Sequence, residues 1–152
     1  MIWKPHVTVA AVIERDNRFL LVEEETSNGL AFNQPAGHLE ESEDLITAVK
    51  REVNEETAWH FKPESVVAIQ LWRKTPEHPS FLRVCFAGQC HNHNPQQKLD
   101  TGIVATHWLT RAEIAERNER LRSALVLSSI DNYLNGEHYP LTLLKSLLDT
   151  EL

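Results

Sequence analysis

The first forty residues contain short apolar runs separated by turn-forming residues. Residues 7–13 form a continuous, Val-rich apolar run, which is typical of a buried strand. Asp16 and Asn17 favour a turn before a second apolar run at residues 19–22. This pattern predicts two strands joined as a hairpin. The next segment, residues 27–37, contains Ser, Asn, Gly and Pro, and we expect it to lack regular structure.

A longer stretch with apolar residues at helical spacing follows this turn-rich segment. Ser42 is a favourable N-cap, and Glu43 and Asp44 fall in the first predicted turn, where the helix dipole favours negative charge. The pattern predicts a helix over residues 43–57 that ends before Pro63.

The remainder of the chain alternates strand-like and helix-like segments. Loops are expected at residues 75–80, which contain two prolines, and at the polar residues 91–98. Thr110 is expected to cap a short helix that ends near Glu116, and Gly136 to end the last helix. The predicted strands are 66–72, 81–86 and Ile103–Leu109, and the predicted last helix is Leu125–Leu134.

These elements predict an α/β fold with a mixed β-sheet between α-helices. The chain has 152 residues and no visible repeat or linker, so residues 1–152 are expected to form one domain.

Composition and charge narrow the possible partners. With 15 Lys and Arg against 22 Asp and Glu, the formal net charge is -7, and no Lys/Arg run is longer than two. Such a chain repels the backbone of a nucleic acid polymer. The apolar run near the N-terminus is too short for a membrane span and lacks a cleavage site. We therefore expect a cytoplasmic protein that binds neither a nucleic acid polymer nor a membrane.

The chain has only two cysteines, and their spacing argues against a bond between them. Cys85 and Cys90 lie in a strand-like stretch at an odd spacing, which places them on opposite faces of the strand. We expect two reduced, structural thiols rather than a disulfide or a metal pair.

The negative charge is concentrated in and before the predicted central helix. Residues 37–56 contain seven Asp or Glu and two basic residues. Such a cluster is a solvated face, a disordered run or a cation site. At helical spacing, Glu52 and Glu56 fall inside the apolar stripe and Glu55 at its edge, which is the reverse of a solvated face. Burial of adjacent anions is costly unless a cation or a proton neutralises them, and a cation site is favoured over a solvated face.

The spacing of these three carboxylates also indicates which cation and which substrate to expect. Oxygen ligands at positions i, i+3 and i+4 of one helix suit a hard divalent ion, Mg²⁺ or Mn²⁺. Protein-bound Mg²⁺ typically shares its coordination with waters and substrate phosphates. We therefore expect a diphosphate or polyphosphate substrate, whose charge the metal would screen from the acidic protein.

The acidic window also forms a known motif. Gly37, Glu43 and the run Arg51-Glu52-Val53-Asn54-Glu55-Glu56-Thr57 stand at the spacing of the Nudix box, so the chain resembles the Nudix hydrolases. The motif has Gly at the position of Ala58 and an aliphatic residue at the position of Trp59. Gly would supply a left-handed turn, and Ala there costs on the order of 1 kcal/mol. This departure affects the end of the helix more than the chemistry.

Further segments resemble one subgroup of that family, the NudJ-type phosphatases. They are residues 4–10, residues 33–40, and residues between Leu121 and Leu141. The resemblance implies Mg²⁺-dependent release of orthophosphate from nucleoside di- and triphosphates. It also implies thiamine diphosphate and 4-amino-2-methyl-5-hydroxymethylpyrimidine diphosphate as substrates.

The resemblance implies a role for each motif residue. Arg51 would orient a motif glutamate, and Glu43 would support the helix start. Glu52 would take the proton of the attacking water. Two simpler interpretations stay open: Glu43 is a first-turn acid favoured by the dipole, and Arg51 is a surface partner of the acid four residues on. The implied metal ligands are the Gly37 carbonyl and the carboxylates of Glu52, Glu55 and Glu56, and the implied catalytic residues are Glu52, Glu56, Arg51 and Glu43.

Residues outside the motif supply candidate contacts to the substrate. Trp72 and Arg83 would line a pocket for a flat ring, although strand aromatics more often pack in a core. Arg122, beside the start of the last helix, would meet a phosphate. A second metal often takes an acid outside the motif, and His107 at the corresponding strand position leaves that ligand open. Residues 23–25 are expected only to end a strand.

Two rival functions stay open beside a phosphatase acting on small phosphorylated molecules as a monomer. The first is a nucleotide pyrophosphatase that cuts between the α and β phosphates. The second is a non-catalytic Nudix-fold module that binds a nucleotide. Retention of all four acids of the motif counts against the second, because a binding module has no need of them.

Overall fold

Two β-sheets with helices on both sides form the framework of the chain. The structure is a computed structural model, and it describes residues 1–151. The strands are β1 (His6–Val12), β2 (Glu14–Arg15), β3 (Arg18–Thr26), β4 (Gly29–Asn33), β5 (Ala36–His38), β6 (His60–Trp72), β7 (Phe81–His91) and β8 (Ile103–Leu109). The helices are α1 (Leu45–Thr57), α2 (Arg111–Glu116) and α3 (Leu125–Leu134), with short 3₁₀ turns at Asn118–Arg120 and Leu141–Leu143.

The first sheet is mixed and has the strand order β5-β1-β7-β6. Strands β1 and β7 are parallel, with Val9 opposite Val84, whereas the β5 and β6 pairings are antiparallel. The second sheet is antiparallel and joins β2, β3, β4 and β8 around β3. The predicted α/β architecture with a mixed sheet is confirmed, but the strands are divided between two sheets.

Strand β1 shows how the sheet is covered on both faces. Val9 and Ala11 pack in one core cluster with α1, whereas Ala10 and Val12 pack in another with α2 and α3. The alternation follows from the two-residue period of a strand, and it explains why this run is continuously apolar. Cys85 and Cys90 also fall in opposite clusters and are unpaired, as predicted.

The predicted N-terminal hairpin is only partly correct. Asp16 and Asn17 do form the turn, with φ of 51° and 63°, as a two-residue hairpin requires. The turn joins β3 to the short strand β2, however, and β1 pairs instead with β5 and β7. The chain passes from the first sheet to the second between β1 and β2.

Residues 27–37 contain two strands, so the expectation of no regular structure here is wrong. Strand β4 pairs with β3, and β5 pairs with β1 at the edge of the mixed sheet. Pro35 lies between them, and its carbonyl accepts a hydrogen bond from Ala11 N at 3.0 Å. Short edge strands tolerate Pro and Gly, which is why turn-forming residues did not exclude pairing.

The later elements agree better with the sequence pattern. Strand β8 and helix α3 have the predicted limits, and Thr110 caps α2 in a capping box with Glu113. Strand β6 begins earlier than predicted and contains Pro63, which an edge strand with bulges accommodates. Among the helices of residues 1–151, none is long and apolar enough to cross a bilayer.

Candidate active site

Helix α1 begins at Leu45, so the predicted N-cap Ser42 is wrong. Asp44 is the N-cap, and its Oδ1 accepts a hydrogen bond from Thr47 N at 2.8 Å. Ser42 has φ of 67° and therefore lies in a turn before the helix. Glu43 also precedes the helix, and its Oε1 accepts a hydrogen bond from Glu40 N at 2.9 Å. Glu43 thus stabilises the approach to the helix rather than its first turn.

The C-terminus of α1 adopts the left-handed turn that the motif predicts. Ala58 has φ of 62°, and its N–H donates to Asn54 O at 2.9 Å. An L-residue in this region is strained, whereas Gly is not. The substitution of Ala for the motif glycine therefore keeps the turn at an energetic cost.

Helix α1 directs two carboxylates against strand β5. Glu52 and Glu56 are 8% and 7% exposed, whereas Glu55 is partly exposed at the rim. Ala36 N donates to Oε1 of Glu56 at 2.9 Å. A Cβ built on Gly37 would lie 2.1 Å from the Glu52 carboxyl carbon, so only glycine permits this contact. The predicted burial of the two acids is confirmed.

Burial and mutual repulsion change the acidity of these groups. Burial raises the pKa of Glu56 to about 9, against the opposing hydrogen bond from Ala36 N. The negative charges of Glu52, Glu24 and Asp100 contribute to this rise. Burial also raises the pKa of Glu52, although Arg51 acts in the opposite direction. The cluster therefore holds more negative charge than its surroundings stabilise, and a cation would relieve that excess.

Arg51 lies at the centre of the acidic cluster. Its Nη2 and Nε bind both carboxylate oxygens of Glu43, at 2.7 and 3.0 Å. Its Nη1 lies 2.8 Å from Glu52 Oε1 and 3.2 Å from Glu55 Oε2. The side chain is only 20% exposed, so a purely superficial pair with Glu55 does not describe it. Arg51 instead connects the segment before the helix with the buried acid Glu52.

The donor set fits a hard divalent ion such as Mg²⁺ or Mn²⁺. Carboxylates and a backbone carbonyl are the oxygen ligands that such ions take, and Gly37, Glu52 and Glu56 all line one cavity. Within residues 1–151, no three His, Cys, Asp or Glu side chains converge as a ready-made metal shell. Arg51 Nη1 donates to oxygens of both Glu52 and Glu55, so these two proposed ligands are engaged by the guanidinium.

The cavity beside the acidic cluster measures about 800 Å³. Its lining includes every predicted substrate contact, Trp72, Arg83 and Arg122. Trp72 is half-buried and packs against Phe81, with ring centroids 5.9 Å apart. Arg122 is exposed, and its Nη1 contacts Glu24 Oε1 at 3.1 Å. The three substrate candidates therefore line the same cavity as Glu52 and Glu56. Glu43, Arg51 and Glu55 do not line it.

Acids other than the motif glutamates also line the cavity, among them Glu24 and Asp100, which the sequence analysis missed. Glu24 belongs to β3, and Asp100 precedes β8 with its N–H bonded to Glu55 O at 2.8 Å. Burial raises the pKa of Glu24. The only sequence signal for Glu24 was the run of acids at residues 23–25, after the predicted strand. Asp100 had no such signal.

The expectation that residues 23–25 only end a strand is therefore wrong. Glu23 accepts a hydrogen bond from Arg120 Nη2 at 2.7 Å and lies 3.0 Å from His107 Nε2. Glu24 holds Arg122. His107 is thus engaged with Glu23 and does not line the cavity, whereas Glu24, Asp100 and Glu119, which lie outside the motif, do.

Comparisons with known proteins agree with this geometry. The family model described as the NUDIX domain matches residues 4–128. Phosphatase NudJ of Escherichia coli strain K12 is 39% identical over 142 residues, which cover 93% of this chain and 92% of the relative.

Solved structures show the same relationship. A NUDIX hydrolase from Nitrosomonas europaea is 44% identical, with a TM-score of 0.91, and the match covers 94% of this chain and 97% of that one. The NUDIX domain of Shewanella oneidensis NrtR, complexed with ADP ribose, has a TM-score of 0.70 at 18% identity, over 89% of this chain and 90% of that one. That second likeness shows the fold alone. By the family match and the close relatives together, this chain belongs to the Nudix family and is a Nudix hydrolase.

Proposed function

We propose that the chain is an Mg²⁺-dependent phosphohydrolase that releases orthophosphate from small diphosphates and nucleoside di- and triphosphates. The observation that carries this proposal is the pair of buried acids, Glu52 and Glu56, that faces an 800 Å³ cavity beside Gly37. The likeness to Phosphatase NudJ supports the choice of products. Thiamine diphosphate and hydroxymethylpyrimidine diphosphate are the proposed small substrates.

The Gly37 carbonyl, Glu52, Glu55 and Glu56 are the proposed metal ligands. When bound, Mg²⁺ would neutralise the nonbridging phosphate oxygens and the leaving group. Mn²⁺ has the same ligand preference and is a proposed substitute.

The remaining roles belong to side chains of this chain. Glu52 is the proposed general base, because it is a buried carboxylate beside the cavity whose position Arg51 fixes. Arg51 orients Glu52 through the 2.8 Å contact and ties it to Glu43. At the other side of the cavity, Trp72 offers a face for a flat ring. Arg122 would release its contact with Glu24 and bind a phosphate of the substrate instead.

Product analysis tests this function against its nearest rival. The purified chain is incubated with Mg²⁺ and thiamine diphosphate, hydroxymethylpyrimidine diphosphate, or nucleoside di- and triphosphates, and orthophosphate is measured without added pyrophosphatase. Orthophosphate is the expected product. With a nucleoside triphosphate, phosphate that appears only after pyrophosphatase is added would instead establish cleavage between the α and β phosphates, because only a triphosphate releases pyrophosphate there. No phosphate in either assay would favour a binding module.

Three further expectations accompany this proposal. They are that residues 1–152 form a single domain, that the chain acts as a monomer, and that it acts in the cytoplasm. A small phosphorylated molecule is the expected partner, in keeping with the ADP ribose bound by the NrtR domain.

A further inference from the structure

Arg83 is a buried cation within the mixed sheet. It lies on β7, between Thr8 of β1 and Gln70 of β6 in the register. Its side chain shares the sheet face of Cys85, which packs with α3, because residues i and i+2 of a strand point the same way. Only 3% of the residue is exposed, so Arg83 is far more buried than Arg51 or Arg122.

No acid neutralises this guanidinium in residues 1–151. Its Nη2 donates to Oε1 of Gln34 at 2.7 Å, and its Nε is buried without a partner. By contrast, Arg51 and Arg122 each contact a glutamate. Arginine keeps its charge in proteins, and burial of a charge without a counterion destabilises the folded state. The fold therefore maintains Arg83 at a cost that packing does not explain.

Gln34 fixes where this charge is presented. It is 1% exposed, and its Nε2 donates to Val126 O at 2.8 Å, while its Oε1 accepts from Arg83. Both ends of the amide are thus used, one on α3 and one on the guanidinium. Gln34 acts as a positioning residue that ties Arg83 to the helix.

Arg83 lines the same cavity as the acids of α1. Only β1 separates its strand from β5, which carries Gly37, so the two strands lie about 10 Å apart at the usual strand spacing. The cavity therefore has an acidic side at β5 and, two strands away, a buried cation that has no acidic partner. A substrate whose attacked phosphate lies at the acids extends its other groups across this distance.

We propose that Arg83, positioned by Gln34, binds the phosphate that stays on the organic product. This inference deepens the proposed function and rests on it. An anionic oxygen completes the hydrogen bonding of a guanidinium and supplies the missing counterion, which a neutral ring cannot do. Arg83 is then the residue that selects substrates with a second phosphate over those with a single one.

The decisive variant is Arg83→Met, because it removes the charge while filling the same volume. Removal of the buried unpaired charge is expected to offset the loss of the hydrogen bond to Gln34 Oε1, so the melting temperature of the substrate-free protein should change little. KM for a diphosphate substrate should rise about 30-fold or more, while kcat changes much less. Arg111→Met is the matched control, since Arg111 is exposed, pairs with Asp131 and does not line the cavity.

A binding assay separates this inference from the proposed function. Adenosine monophosphate and adenosine are titrated calorimetrically into the wild-type chain, Arg83→Met and Arg111→Met. The expected result is that the wild type and Arg111→Met prefer the monophosphate and Arg83→Met loses that preference, whether or not any substrate is hydrolysed. Equal affinity for the two probes in the wild type, or a preference that survives in Arg83→Met, would overturn the inference. A lowered melting temperature with unchanged KM in Arg83→Met would make Arg83 structural and overturn it too.

Discussion

Glu56 shows how its surroundings set the charge of a single side chain. Its pKa of about 9 keeps the carboxyl protonated at neutral pH in the metal-free chain. A metal ion must displace that proton, since carboxylates bind metals in the ionised form. Metal affinity is therefore expected to rise with pH up to about the pKa of Glu56.

The same residue predicts how the stability of the metal-free protein depends on pH. Because the pKa rises from 4.5 to about 9 on folding, the folded state holds this proton more tightly than the unfolded state. Its contribution to the free energy of unfolding is complete below about pH 4.5 and is lost as the pH rises towards 9. Urea unfolding in EDTA at about pH 5.5 and about pH 8.5 should show this loss.

Glu56→Gln provides the control for that measurement. Gln keeps an oxygen that accepts from Ala36 N but does not titrate. The loss of stability between the two pH values should be smaller in this variant than in the wild type. Equal losses in the two proteins would contradict the account of Glu56.

Arg51 links Glu43 to Glu52, and its replacement tests that role. Arg51→Gln leaves Glu43 and Glu52 without their shared cation, so activity should fall about 10- to 100-fold, as when a residue that orients metal ligands is lost. Lys50→Gln removes the neighbouring charge, which is exposed, and should leave kcat unchanged. Comparable losses of kcat in both variants would indicate a general effect of charge.

At the scale of the element, α1 joins the backbone of β5 to the cavity. Its apolar residues, among them Ala48, Val49 and Val53, pack against the sheet and set the rotation of the helix. That rotation turns Glu52 and Glu56 towards β5. The helical period alone predicted that the two acids would be buried, because they share a stripe with the residues that pack.

The start of α1 depends on one side chain, and its loss has a predictable cost. Asp44→Ala removes the acceptor for Thr47 N and should reduce the free energy of unfolding by about 1 kcal/mol. Asp44→Asn keeps an acceptor and should lose less. Chemical denaturation of the three proteins measures the effect. A change of similar size in both variants would show that the cap hydrogen bond is not its cause.

Local pattern predicted helices better than strand pairing. Strand β8 and helix α3 were found at the expected limits because each has its own period and punctuation. Strands β4 and β5 were missed because their stability comes from partners distant in sequence, β3 and β1. Ser42 was chosen over Asp44 as the cap because both types cap helices, and only the backbone, with φ of 67° at Ser42, decides between them.

At the scale of the whole molecule, the cavity is made by segments that meet only in the folded chain. Glu52, Glu55 and Glu56 could be predicted because they lie in one helix at fixed spacing. Glu24 and Asp100 could not, because they come from β3 and from the loop before β8. The missing counterion of Arg83 is likewise visible only once the neighbours of β7 are known. Sequence thus predicted the buried acids of α1 better than the other residues that line the cavity.

The central claim is that the buried acids of α1 make this fold an Mg²⁺-dependent phosphohydrolase. It is tested most directly by orthophosphate release from a nucleoside diphosphate, with Mg²⁺ or with EDTA, by the wild type, Glu56→Gln and the exposed control Glu116→Gln. Release is predicted only with Mg²⁺. Glu56→Gln should lose at least about 100-fold of the activity while its melting temperature in EDTA stays unchanged, and Glu116→Gln should lose no activity. Full activity of folded Glu56→Gln, or undiminished release in EDTA, would contradict it.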